Sequence, residues 1–308
     1  MTPWARRRID AHLHVWDLDR SDYAWVTPAL GDLHATFTPE QARAAMDACS
    51  VDEAILVQAE DSERDTELML EAADRHRWVA GVVGWVRLDD PATAAEQLDR
   101  WQQHPAFCGV RHLLHEERRQ NFLALPGVRR SLRVLAQRGI PFEVPDAWPR
   151  HLTQTAELAA MLPDLQIIID HLGKPPAGAA DRRQWRAALA AAAAQPNCVA
   201  KVSGLQTPGR PFVVDELRVA WDAALELFGP ERLMWGSDWP MTVRGPGYAG
   251  TWQVMSSLIE ELSAHEQSLL TGGTASAVYS LNQRRTSVDS AGAHSYTREK
   301  SISEEPRC

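Results

Sequence analysis

Cysteine is scarce in this chain, with four among 308 residues, Cys49, Cys108, Cys198 and Cys308, and no C-x-x-C pair. Such few and scattered thiols exclude a disulfide framework and point to a reducing, cytoplasmic setting. Positive charge is also short: 32 Lys and Arg against 41 Asp and Glu leave a formal net charge of −9, which disfavours a nucleic-acid partner because phosphate binding needs a basic face. No run of about 18 apolar residues exists, so no spanning helix and no membrane partner are expected. The arginines near Met1 are followed at once by Asp10, His12 and His14 instead of a signal-peptide core. The glycine-rich phosphate loops G-x-G-x-x-G and G-x-x-x-x-G-K-[ST] are missing after the first apolar run. A small-molecule ligand is the remaining default; a homo-oligomer is compatible with all of this, and the oligomeric state stays open.

What the chain does have is a rhythm. Eight apolar runs of strand length recur: Arg8 to Leu13, Glu53 to Gln58, Val79 to Trp85, Phe107 to His112, Ile140 to Val144, Gln166 to Asp170, Cys198 to Val202 and Arg232 to Ser237. Amphipathic or alanine-rich stretches separate them, such as Pro39 to Cys49, Thr66 to His76, Pro91 to His104, Val128 to Arg138, Leu152 to Leu162, Arg182 to Ala194 and Val213 to Phe228. Near-continuous apolar strands alternating with helices predict a parallel sheet covered by helices. Eight such units in this length fit the α/β class as a closed (β/α)₈ TIM barrel in a single domain, residues 1–283, better than an open doubly wound sheet. Two further helices, Thr251 to Ser263 and His265 to Leu281, are expected to close the barrel, the second packing closely through Gly272-Gly273-Thr274-Ala275. Residues 284–308 turn to Ser, Thr, Arg and Glu and read as a disordered tail.

Four side chains sit where such runs end. His12 and His14 share a face of the first run, because a strand has a period of two. His171 follows the isoleucines at 167–169, and Asp238 follows Arg232-Leu233-Met234-Trp235-Gly236-Ser237. In a (β/α)₈ barrel the carboxyl ends of all strands open onto one face, so these residues would converge despite their separation in the chain. Three nitrogens and one oxygen suit Zn²⁺ well and Mn²⁺ acceptably, with room for a water or substrate oxygen.

The ordered motifs His12-x-His14, Asp170-His171-Leu172-Gly173-Lys174-Pro175, Lys201-Val202-Ser203-Gly204 and Gly236-Ser237-Asp238-Trp239-Pro240 resemble the amidohydrolase superfamily, in its sugar-acid lactonase branch of L-fuconolactonase and L-rhamnonolactonase-like proteins, over about residues 8–281. A more distant similarity is to the 2-pyrone-4,6-dicarboxylate lactonases, a branch that works without a metal, so a metal-free variant of the mechanism stays open. The resemblance implies hydrolysis of a cyclic ester, with Asp238 as general base and His12, His14 and His171, with or without Asp238, around one divalent metal. A second metal would need a bridging residue from the middle strands, and Gly109-Val110-Arg111-His112 supplies none. The stretch Gln206-Thr207-Pro208-Gly209-Arg210-Pro211 departs from the longer acidic and aromatic insert of the sugar lactonases, which leaves the substrate unfixed.

Arg111 is assigned to the substrate, where its fork suits a carbonyl, carboxylate or hydroxyl pair; the alternative is an ion pair with a barrel carboxylate. Gln58 and Glu143 are candidates for binding hydroxyls, Lys174 for reaching a substrate oxygen, and Trp25 and Trp239, with Trp16 and Trp85, for apolar walls. Lys201 and Ser203 share a face and are expected to support the site from behind, while His112 and His151 read as structural. Two competing functions remain: a metal-dependent decarboxylase on the same fold, and a non-catalytic sugar-acid-binding barrel.

Overall fold

The computed structural model describes residues 7–207 and 209–281; the tail expected at 284–308 lies outside them. Eight strands, β1 (Ile9–Leu13), β2 (Glu53–Val57), β3 (Val79–Gly84), β4 (Phe107–Arg111), β5 (Phe142–Val144), β6 (Ile167–Ile169), β7 (Cys198–Val202) and β8 (Leu233–Trp235), form one parallel sheet in sequential order. Every neighbouring pair from β1·β2 to β7·β8 is parallel. Each strand lies within two residues of its expected bounds. The ring closes just beyond β8, where Trp239 bridges in parallel to Leu13. The protein is therefore a (β/α)₈ barrel.

Helices α1 (Pro39–Asp47), α2 (Glu63–Arg75), α3 (Pro91–Trp101), α4 (Pro126–Gln137), α5 (Leu152–Met161), α6 (Ala179–Ala193), α7 (Val214–Phe228) and α8 (Gly247–Ile259) wrap the ring. Helix α2 starts at Glu63, ahead of the expected Thr66, because the chain carries its own start signal there, and α1 starts at Pro39 as expected. Ser62 accepts from the Asp65 N–H to open α2, and Thr38 with Gln41 forms a capping box on α1. The continuous helix expected over 265–281 is a correction. The chain runs as α9 (Ala264–Ser268), a wide turn at Leu269–Gly273, and α10 (Thr274–Val278). The break falls at Gly272, where a Cβ would stand 2.5 Å from the Arg7 carbonyl oxygen. Only a bare backbone can lie that close under β1.

The barrel interior is layered. Its floor is an apolar cluster that includes Ile9, Ile55, Val57, Ile168, Val199 and Met234, plugged from below by Tyr279 and Leu281. Two residues further along the same faces the side chains become charged, as Val199 gives way to Lys201 and Ile168 to Asp170. One step above lie Ser203, His171 and Asp238. Helices α1 to α8 and the outer strand faces bury a separate, larger apolar shell. No helix among the described residues is long and apolar enough to cross a membrane.

Candidate active site

The closing seam of the barrel builds the first edge of the site. The Asp238 N–H donates to the His12 carbonyl at 2.8 Å and the His14 N–H to the Trp239 carbonyl at 2.7 Å. Beneath them Asp10 Oδ1 accepts from the N–H groups of His12 (3.1 Å) and Ser237 (2.9 Å). Burial pushes the Asp10 carboxyl up to about 6, against the pull of those bonds. The β1 register slips between Asp10 and Leu13, and this bulge turns His12 inward beside Ala11. Gly236 makes the room, since a Cβ there would be 2.6 Å from His12 Cβ.

The four expected residues come together. His12 Nε2 and His14 Nε2 are 3.1 Å apart, and Asp238 Oδ1 lies 3.8, 3.5 and 3.9 Å from the Nε2 atoms of His12, His14 and His171. All four residues are buried. The His14 Nδ1–H donates to the Val57 carbonyl at 2.8 Å, and His171 Nδ1 is hydrogen-bonded to Ser203 Oγ at 2.9 Å, so both rings are held with Nε2 aimed at the centre. Bonds of 2.0–2.1 Å to a tetrahedral zinc place ligand atoms about 3.4 Å apart. The measured spacings bracket that value, and the N₃O donor set matches the ion's preferences. The residues fit a divalent cation.

Electrostatics sharpen the contrast between these groups. Burial lowers the basicity of His12 and His171. Burial alone would raise Asp238, yet His171, the hydrogen bond to His14 and the nearby His12 outweigh it and hold this carboxyl well below the usual carboxylate range. His171 and Asp238 also have left-handed backbones, with φ of 55° and 56°. Such conformations cost non-glycine residues about 1–3 kcal/mol and persist where the surroundings enforce them. Gly204 faces them with φ of 56°, and a Cβ there would be 2.3 Å from His171 Nδ1 and 2.7 Å from Asp238 Oδ2.

The other expected residues scatter into different roles. Arg111 donates from Nε to Asp170 Oδ2 at 2.9 Å and from Nη1 to the Gln58 carbonyl at 3.0 Å, so its guanidinium is engaged by the barrel itself. Glu143 accepts from Lys201 Nζ at 2.6 Å and from the Tyr279 hydroxyl, inside the charged layer beneath the histidines. Gln58 donates to Asp61 Oδ1 at 3.1 Å. Lys174 lies at the rim, donating to the Gly204 carbonyl at 2.9 Å. Trp25 packs edge-on against Trp16 at 5.3 Å and donates to the Ala59 carbonyl; Trp239 packs edge-on against Phe37 at 5.4 Å. The His151 Nε2–H donates to the Leu114 carbonyl at 3.1 Å and its Nδ1 lies 3.2 Å from Gln154 Oε1, away from the cluster.

Asp170 has a role that its place in the motif did not reveal. It lies 3.2 Å from Lys201 Nζ and 3.4 Å from His12 Nδ1, and with Arg111 it forms the hub of the charged layer. Its signal was present, since it ends the same isoleucine run as His171. Gln206 and Asp146 were missed because they sit in loops. Gln206 Nε2 is 3.4 Å from Asp238 Oδ2. A cleft of about 60 Å³ opens beside it, lined among others by Lys174, Pro175, Gly204, Gln206, Thr207 and Arg210.

A closed (β/α)₈ barrel whose strand ends gather a His-x-His pair, a third histidine and a terminal aspartate is an amidohydrolase-type barrel. The chain belongs to the amidohydrolase (Amidohydro_2) family, whose model matches residues 9–281. It is similar to the L-fucono-1,5-lactonase of Burkholderia ambifaria, 31% identical over 286 residues that cover 90% of this chain and 96% of that protein. The L-fucono-1,5-lactonase of Burkholderia multivorans is 34% identical over 291 residues, covering 89% and 96%. The crystal structure of an amidohydrolase from Burkholderia multivorans with bound zinc superposes with a TM-score of 0.81 at 33% identity, covering 89% of this chain and 99% of that one.

Proposed function

We propose that this protein is a lactonase that opens a sugar-acid lactone of the aldonolactone type. The observation that carries the reading is that one Asp238 carboxylate oxygen lies within 3.9 Å of an Nε2 atom from each of His12, His14 and His171 at the strand ends. The likeness to two L-fucono-1,5-lactonases over about nine-tenths of the chain supports the substrate class. The cofactor we propose is one divalent cation, zinc first and manganese second, held by His12, His14, His171 and Asp238. When bound, it would supply Lewis acidity to the lactone carbonyl.

The chain's own residues handle the protons. Asp238 takes a proton from water as the water oxygen bonds to the carbonyl carbon. The ring C–O bond then breaks, and Asp238 returns the proton to the departing alkoxide. A carboxylate held this low keeps a proton only transiently, which suits a group that must hand it on at once. Ser203 and the Val57 carbonyl keep His171 and His14 oriented. The charged layer of Lys201, Glu143, Asp170 and Arg111 forms a rigid base beneath.

A pH-indicator screen of aldonolactones, with and without added Zn²⁺ or Mn²⁺, tests the reading. Acid release from at least one lactone is expected. No turnover across the panel with either ion, or CO₂ release from aromatic acids in its place, overturns it.

A further inference from the structure

Gln206 stands over the reacting group. Its Nε2 lies 3.4 Å from Asp238 Oδ2, and a carboxylate only accepts hydrogen bonds, so the amide must turn its NH₂ towards Asp238. That fixes the direction of the other end. Gln206 Oε1 is buried, with no hydrogen-bond partner among the described residues. A buried acceptor without a partner is costly, and a ligand donor relieves it. Across the same cleft Lys174 Nζ spends one bond on the Gly204 carbonyl at 2.9 Å and lies 4.0 Å from Asp146 Oδ1. An ammonium has three donors, so the cleft offers both a donor and an acceptor.

A hydroxyl is the group that answers both, donating to Oε1 while accepting from Nζ. A methylene would leave both unmet, and a carboxylate would set its lone pairs against Oε1. Building on the lactonase reading, we propose that Gln206 determines specificity by reading a hydroxyl beside the scissile carbonyl, with Lys174 as its complement. The substrate is then a lactone that carries this hydroxyl, not its deoxy analogue.

The test compares kcat/KM of the metal-loaded wild-type enzyme on two rings: an aldonolactone and its analogue lacking the hydroxyl next to the carbonyl. The aldonolactone should be preferred by at least about tenfold, in line with sites built around a substrate hydroxyl. In Gln206→Met the preference over the deoxy ring should fall to within about threefold. Equal wild-type values for the hydroxylated and deoxy rings overturn the proposal without needing a variant. Retention of the full preference by a folded Gln206→Met protein also overturns it. Failure to open any of the rings removes the lactonase reading itself, and this proposal with it.

Discussion

The mouth of the barrel has two unlike halves. On the arc of β1, β6 and β8, polar atoms converge without pairing off: two histidine nitrogens face each other at 3.1 Å and a carboxylate oxygen faces all three rings. On the arc of β2, β3 and β4, equally polar residues pair among themselves. Asp61 accepts from Gln58 and from the Leu113 N–H and lies 3.0 Å from His112 Nδ1. His112 also receives the Trp85 N–H at 3.2 Å and stacks on Phe122 at 4.3 Å. Strain divides the same way. Left-handed non-glycine residues occur at His171, Leu172, Lys174 and Asp238, and among the described residues none falls at Gln58, Asp61, Arg111 or His112. Polar side chains that satisfy one another make scaffold, whereas those held together unsatisfied, on a distorted backbone, are positioned for chemistry.

Mutation can break this division. The largest effect is expected at Asp238, where Asp238→Asn should keep the fold, checked by circular dichroism, and lower lactone turnover by about 10²–10⁴-fold, the usual worth of a positioned base. Undiminished turnover would show that the converging arc is not where the chemistry happens. Next comes His171→Ala, for which metal analysis should find zinc affinity weakened more than tenfold. Wild-type protein that takes up neither zinc nor manganese would overturn the metal assignment on which that expectation rests.

The paired arc should respond in stability first. Arg111→Met leaves Asp170 without one of its two main cationic partners in a buried layer, and breaking such a pair costs about 3–5 kcal/mol by chemical denaturation. A variant of unchanged stability with a raised KM would instead move Arg111 to the substrate-facing half, the role its position at the end of the fourth run suggested. The smallest effect concerns acid. Burial pushes His112 down to about 4, so the folded state refuses a proton that the unfolded chain takes near 6.5. The stability contributed by the neutral ring is therefore complete above about 6.5 and is lost as pH falls from there towards 4, by at most about 1.4 kcal/mol per pH unit. Between pH 6.5 and 5 the wild type should lose stability more steeply than His112→Gln; parallel curves would contradict the buried, neutral state of this ring.

The sequence made the strands legible because parallel barrel strands are covered on both faces and read as unbroken apolar runs. It made the four converging residues legible for a related reason. In this topology the end of a run and the mouth of the site are the same place, so His12, His14, His171 and Asp238 needed no knowledge of one another. The charged layer was not legible in that way. Strand 5 is too short for its inward face to be read, so the direction of Glu143 stayed ambiguous, and whether Arg111 and Glu143 meet ligand or neighbour depends on Asp170, Lys201 and Tyr279, up to 136 positions away. The continuous helix over 265–281 failed for a local reason: Gly272 looked like a small packing residue within a helix and is a contact with the Arg7 backbone. Gln206 lay beyond reach because a loop residue carries no periodicity, and its place is set by contact with Asp238 alone.

Gly204 sets a boundary for anyone who would retool this enzyme. Because any side chain there would collide with both the His171 ring and the Asp238 carboxylate, that residue is a fixed post from which the following loop hangs. Grafts that exchange selectivity between related barrels should splice in after it, at Leu205 or later. A library that randomises position 204 along with its neighbours would return mostly dead clones.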